Sequence, residues 1–245
     1  MTIHPDHLSG IMQFLRGGNT EIIASAAGRD FITSNLSKHG LFDSVGVPTP
    51  YFQVTHWAQA FDRLQYPFPK PDRTVASTTS KPVDLGITII QTPGHTPDEL
   101  AWYDHAEKHL FVGDSFYEEG KDGMPVLWPA QGNLVEWYYS MLKLQGFVRA
   151  ENTREADGDD GEWVTVARRV KIGCGHQTAS VDGEEILERL LAFWWRVVKG
   201  EVPVARTSVW HGEVTDWWRE PDGGSKMSFK APRRLMEEAR KFFIP

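Results

Sequence analysis

The spacing of apolar positions changes several times along the 245-residue chain, and each change predicts an element. Leu8, Ile11, Met12 and Leu15 fall at helical intervals, so a short helix is expected there, stopped by Gly17-Gly18. A short apolar strand follows over residues 22–26, and a second helix begins near Arg29. Residues 40–85 are rich in Pro, Gly, Ser and Thr and predict loops with short strands. From Gly86 the runs GITIIQT, ELAWYD and HLFVGDS read as three strands separated by turn residues.

In the second half the period lengthens. Asn133 with Glu136 resembles a capping box, and Leu134, Trp137, Tyr138, Met141 and Leu142 make one apolar helical face. Asp182 with Glu185 repeats the signal ahead of Leu187, Leu190, Leu191 and Trp194, and Gly200 ends that helix. Between the two lies ENTREADGDDGE, six acids to one base, expected as a solvated loop before the strand WVTVARRVKIG. Lys226, Lys230, Arg233, Arg234, Arg240 and Lys241 make the last residues basic and predict a surface helix. Loose alternation of helices and strands puts the chain in the α/β or α+β class, as one continuous domain over residues 1–245.

Composition narrows the function classes. A net charge of −7, from 26 basic and 33 acidic residues, argues against broad nucleic-acid or anionic-membrane binding. No apolar run is long enough to span a bilayer, and the single cysteine, Cys174, fits a reducing compartment, so a cytoplasmic protein is expected. Ten tryptophans predict a large aromatic core or a ring-lined pocket.

The chemistry gathers at four places. IHPDH, residues 3–7, offers His4, Asp6 and His7 from one tight turn that Pro5 restricts. TPGHTP holds His95 directly after a strand, LFVGDS does the same with Asp114, and KIGCGHQ with His176. Strand ends on one rim of a sheet converge, so these groups are expected to meet the N-terminal cluster. His39, His56, His105, His109 and His211 lack such a setting and are read as structural or solvated, and Cys174 as a small buried residue.

The order H-P-D-H, T-P-G-H, G-D, G-H resembles the metallo-β-lactamase superfamily over residues 2 to about 200, which would leave 201–245 as a C-terminal extension. The resemblance implies a four-layered αββα sandwich with its metal site at the rim. It also implies zinc, one or two ions. His4, His95 and Asp114 would serve the first site, and Asp6, His7, Asp114 and His176 the second. The family's first histidine falls on Thr2, a poor ligand, so the second site is expected to be the more complete. Strands usual before the motif are absent, which predicts an open sheet edge able to pair with a second copy.

The activity implied is hydrolysis, with zinc-bound hydroxide attacking an ester, lactone, thioester or similar small substrate and Asp6 holding the attacking water. SFYEEGKDGMPVLWP would form an apolar pocket wall, with Tyr117 and Trp128 against the substrate and Phe116, Met124 and Leu127 beside them. Thr2 and the missing strands leave an alternative, a non-catalytic metal-binding protein.

Overall fold

The computed structural model describes residues 2–18, 20–68, 81–120, 123–156, 168–221 and 227–244. In chain order the first half holds α1 (Pro5–Leu8), α2 (Ile11–Leu15), β1 (Ile23–Ser25), α3 (Arg29–Ser34), α4 (Leu36–His39) and α5 (Phe42–Val45). Then come β2 (His56–Ala58), β3 (Arg63–Tyr66), β4 (Val83–Gln91), β5 (Leu100–Asp104), β6 (His109–Phe111) and β7 (Val126–Leu127). The second half holds α6 (Leu134–Ala156), β8 (Lys171–Gly173), β9 (Val181–Asp182), α7 (Gly183–Val198), β10 (Val204–Trp210), β11 (Glu213–Arg219), β12 (Ser228–Pro232) and α8 (Arg233–Phe243). The class is mixed α+β.

Six strands form one sheet in the order β3-β4-β5-β6-β8-β9. Side chains alternate across it, as the pleat requires. Ile90, Tyr103, Leu110 and Ile172 enter the main core, while Ile89 and Leu100 join a smaller cluster on the other face with Ala58, Leu64 and Phe68. A four-stranded sheet, β10-β11-β12-β7, adds Trp218, Phe229 and Ala231 to the same main core. β1 and β2 pair in parallel as a separate two-stranded sheet.

The long helices form where the patterning places them. Asn133 accepts hydrogen bonds from the backbone N–H groups of Val135 and Glu136, and Asp182 from those of Glu184 and Glu185. The buried stripe of α6 is Leu134, Trp137, Met141, Leu144 and Val148, whereas Leu142 is exposed. That spacing of three, four, three and four follows one helical face more closely than a stripe through Leu142 does.

Two expectations need correction. The helix expected through Leu8–Leu15 is two short helices, α1 and α2, interrupted at Ser9-Gly10. Residues 151–156 of the acidic segment are not a loop but the last turns of α6. Glu151 pairs with Arg154 at 2.8 Å, and Asn152 Oδ1 accepts the Val170 N–H, so local pairing outweighs the charge run. Residues 157–167, with the rest of that segment and the start of the expected strand, lie outside the described residues; the strand itself is Lys171–Gly173. In residues 201–245, β11, β12 and α8 bury Trp218, Phe229, Leu235, Met236 and Ala239 in the main core. Arg233, Arg234 and Lys241 of α8 are exposed, while Arg240 donates to the Val197 and Val198 carbonyls. Among the described residues no helix is long and apolar enough to cross a membrane.

Candidate metal centre

β4 and β6 each run antiparallel to β5, and β8 runs parallel to β6, so β4, β6 and β8 all point the same way. Their C-terminal ends share a rim, and each is followed by a loop carrying one candidate ligand: His95, Asp114 and His176. The N-terminal turn closes over this rim. His4 occupies the N-cap of α1 in an extended conformation, and Pro5 sits at the first helical position, where its fixed φ suits the helix. Asp6 and His7 therefore project from the first turn beside His4.

Two glycines make the close approach of these loops feasible. A Cβ at Gly94 would lie 2.3 Å from the Cα of Trp137, and one at Gly175 would lie 2.4 Å from Asp114 Oδ1. The N-terminal end of α6 then fixes the His95 loop: Asn133 N–H donates to the Gly94 carbonyl, and Ser140 Oγ to that of Pro93. The Trp137 indole N–H donates to the Ser115 carbonyl, at 2.6 Å, so α6 also holds the Asp114 loop. Glu99, fully buried, accepts the Asp114 backbone N–H at 3.1 Å.

The side chains form two clusters that share Asp114. One is His4, His95 and Asp114, and the other is Asp6, His7, Asp114 and His176; within each, the donor atoms lie within 4.8 Å of one another. In the first, His95 Nε2 is 3.5 Å from His4 Nδ1 and 3.7 Å from Asp114 Oδ2. In the second, His7 Nε2 is 2.9 Å from Asp114 Oδ2, and His176 Nε2 is 3.4 Å from Asp114 Oδ1 and 3.5 Å from Asp6 Oδ2.

Burial sets the electrostatics. It lowers His4 to about 4 and His95 to about 3, so both rings are neutral at pH 7 and free to act as ligands. Burial opposes protonation of His7 as well, but the hydrogen bond and charge of Asp114, with the charge of Asp6, outweigh it and move His7 upward. His176 moves upward through its interaction with Asp114. Burial likewise works against ionisation of Asp114, yet His176 and His7 beside it hold the carboxyl well below the ordinary range.

The donor set fits a metal ion. Nitrogen from imidazole and oxygen from carboxylate are the ligand types zinc takes, and the second cluster offers the four that a tetrahedral ion needs. His4 Nε2, His95 Nδ1 and Asp114 Oδ1 are buried without a hydrogen-bond partner, an arrangement that is costly unless such groups serve a purpose.

All six candidate ligands thus come together at one point, and His4, Asp6, His95, Asp114 and His176 among them also line a cavity of about 170 Å³. Thr2 joins neither cluster; it is buried, with its hydroxyl 2.9 Å from that of Thr96. Tyr117 lines the cavity, edge-on to His176 at 4.9 Å between ring centroids, and its hydroxyl donates to the Pro125 carbonyl. Trp128, expected against the substrate, is not there. Its backbone N–H donates to the Lys230 carbonyl of β12, and the fully buried indole packs in the core against Trp137 and Phe229. Phe116 is likewise core. Met124 and Leu127 do line the cavity, together with Leu41, Val45 and Trp210, which sequence reasoning missed. Trp210 lies at the end of β10, beside the two-residue turn His211-Gly212 that a hairpin reading of WHG would have found. Leu41 carried no such signal.

Fold and site together define an α+β protein with histidine–carboxylate clusters at a sheet rim that could hold metal ions. The family profile described as "Metallo-beta-lactamase superfamily" matches residues 3–181, and the chain belongs to that superfamily. A relative from Aspergillus versicolor, described as "Putative transcription factor avaE", is 27% identical over 201 residues, 82% of this chain and 52% of that protein. The chain therefore spans about half the length of this curated relative. Among solved structures, TTHA1623 in a di-iron-bound form is 14% identical with a TM-score of 0.48, over 75% of this chain and 71% of its own. The archaeal superfamily protein ST1585 from Sulfolobus tokodaii is 14% identical with a TM-score of 0.48, over 83% of this chain and 68% of its own.

Proposed function

We propose that the chain is a zinc-dependent hydrolase of small ester, lactone or thioester substrates, acting in the cytoplasm. The observation that carries this reading is the placement of the two ligand clusters on the floor of a cavity, with Asp6 reaching into it. Asp6, His7, Asp114 and His176 would hold one ion and His4, His95 and Asp114 a second. Zinc bound there supplies a Lewis acid and makes a bound water far more acidic.

The chain's own residues do the rest. The Asp6 side chain, 53% exposed, accepts a hydrogen bond from the attacking water and orients it toward the substrate carbonyl. Asp114, pinned in place through Glu99, keeps the two clusters in register. Tyr117, whose hydroxyl is engaged by the Pro125 carbonyl, contributes its ring edge as a wall rather than as an acid.

The test is zinc reconstitution followed by metal analysis and a panel of esters, lactones, thioesters and phosphodiesters. The expected result is turnover that Asp6→Ala abolishes, together with the ion of the four-donor cluster, while the fold persists; a folded, zinc-loaded chain inactive on the whole panel refutes the reading. A second reading, a metal that serves folding alone, is favoured by Thr2, which leaves the first cluster with three donors. It predicts that Asp6→Ala and His176→Ala lower stability and that no substrate is turned over.

A further inference from the structure

His176 lies in the turn between β8 and β9. The loop carrying Asp114 starts beside it, because the parallel pairing of β6 and β8 continues for two bonds past the strands. Val112 N–H donates to the Gly173 carbonyl, and Gly175 N–H to that of Gly113. The Cys174 N–H donates to the Thr178 carbonyl at 2.7 Å, which closes residues 174–178 into a turn with His176 at its middle. Of residues 175–180, Thr178 alone is buried and the other five are exposed. Withdrawing a hydroxyl from water is costly unless it gains hydrogen-bond partners. Thr178 finds them on the Asp114 loop. Its hydroxyl accepts the Glu118 backbone N–H at 2.9 Å and donates to Glu118 Oε2 over a longer 3.5 Å. The other carboxylate oxygen, Oε1, accepts from Arg189 Nη1 of α7 at 3.2 Å. Ile186, Leu187 and Leu190 fix that helix in the main core, so the contact between the two loops is tied to a rigid element.

We infer that Thr178, together with Glu118, is a positioning residue for the outer metal ion: its hydroxyl fixes the His176 turn against the Asp114 loop and so sets the spacing of these two donors. This rests on the metal-binding part of the reading above and does not depend on hydrolysis. The contact lies four residues from Asp114 along one loop and two from His176 along the other. Across the site, Asp114 Oδ1 and His176 Nε2 stand 3.4 Å apart. Tyr117, next to Glu118, meets the His176 ring edge-on at 4.9 Å between centroids, so a shift of the turn also withdraws that contact. Without the hydroxyl, the Glu118 N–H loses this partner, and the turn is free to draw back toward the solvent that already surrounds its other residues. The inner cluster of His4, His95 and Asp114 takes no residue from this turn. Its shared Asp114 is held separately, by Glu99 and by the Trp137 bond to Ser115. Loss of the Thr178 hydroxyl therefore acts on the outer ion selectively.

The experiment measures zinc affinity by competition with a chromophoric chelator, with His176→Ala marking the binding step that belongs to the outer cluster. Expected is an outer step about 10- to 100-fold weaker in Thr178→Val, the range for residues that hold a metal's ligands in place, with the inner step unchanged. Thr178→Ala, which presses no methyl group against Glu118, should weaken the same step, and it decides the matter if the valine variant does not fold. Thr178→Ser keeps the hydroxyl and should bind as the unaltered chain does. Glu118→Gln keeps the N–H and should lose less than Thr178→Val. Cobalt(II) in a His4→Ala background then reports the geometry around the outer ion: its visible bands should shift in Thr178→Val and return in Thr178→Ser. An outer step unchanged by both Thr178→Val and Thr178→Ala overturns the assignment. So does equal weakening of both steps, or weaker binding with an unaltered cobalt spectrum, since either would mean that the hydroxyl serves the fold without aiming His176. An unaltered chain that holds no zinc refutes the metal reading and this assignment with it. Zinc binding that follows the expected pattern, with no ester turned over, upholds the positioning role and refutes the hydrolase.

Discussion

His4 and His95 are 8% and 3% exposed, whereas in the neighbouring cluster the side chains of Asp6 and His176 are 53% and 23% exposed, although all four line the cavity. The inner pair is kept neutral by burial, and the outer cluster is charged and hydrogen-bonded around Asp114. The inner cluster has three donors and the outer has four. Two ligand groups less than a helix diameter apart, built from the same residue types, are thus prepared for an ion in different ways. Desolvation prepares one, and proximity of opposite charges prepares the other.

The variant that breaks this comparison most completely is Asp114→Asn, because the carboxylate belongs to both clusters. The substitution keeps the shape but removes the charge that holds His7 and His176. Metal affinity should fall at both positions by more than about 100-fold, beyond the 10- to 100-fold typical of losing a partner one shell further out. Elemental analysis after dialysis against a weak chelator reads this directly, and retention of either ion would show that the clusters do not depend on Asp114.

A smaller effect separates the two. In the ion-free chain His7 and His176 are raised above 6.5, so their protons stabilise the fold fully below that pH, and this contribution is lost as the pH rises through the raised values. His4 and His95 behave oppositely. Between pH 6.5 and about 4 and about 3, respectively, the unfolded chain binds protons that the folded chain refuses, so stability falls as the pH falls. Zinc must displace any proton on its ligands. Calorimetric titration at pH 6.5 in two buffers of different ionisation enthalpy should therefore show proton release on filling the outer cluster and none on filling the inner. His176→Ala should reduce that release, and His4→Ala should leave it unchanged. Equal release from both variants would mean that burial does not distinguish the clusters.

The outer cluster was legible in the sequence because its parts lie in short motifs: a Pro-fixed turn at residues 3–7, and glycine-bearing loops after three strands. The six-stranded sheet was half legible, since β4, β5 and β6 alternate or run apolar over enough residues to register a period. The cavity wall was not. Leu41 and Val45 come from a stretch whose Pro and Gly content hides α5, and Trp210 from the segment read as a C-terminal extension of the domain. Trp128 shows the same limit from the other side. Its neighbours Met124 and Leu127 face the cavity, but pairing of β7 with β12 turns its indole inward, and that pairing joins residues about a hundred positions apart. A local pattern carries periodicity and turn chemistry; it does not carry which distant strand will decide the facing of a side chain.

The smallest effect is expected at Thr2. The superfamily motif laid on residues 2–7 puts a histidine where Thr2 stands, yet the Thr2 hydroxyl is turned toward Thr96 and contributes no donor to either cluster. Thr2→Val keeps the size of the side chain and removes this hydrogen bond. Thr96 retains its interaction with the Asp98 carboxyl, so its hydroxyl is not stranded. The expected cost is about 1 kcal/mol of stability, seen as a modest fall in Tm of the ion-free chain, with zinc stoichiometry and proton release unchanged. A loss of bound zinc on Thr2→Val would instead make position 2 part of the inner cluster, and the difference in donor number between the clusters would disappear with it.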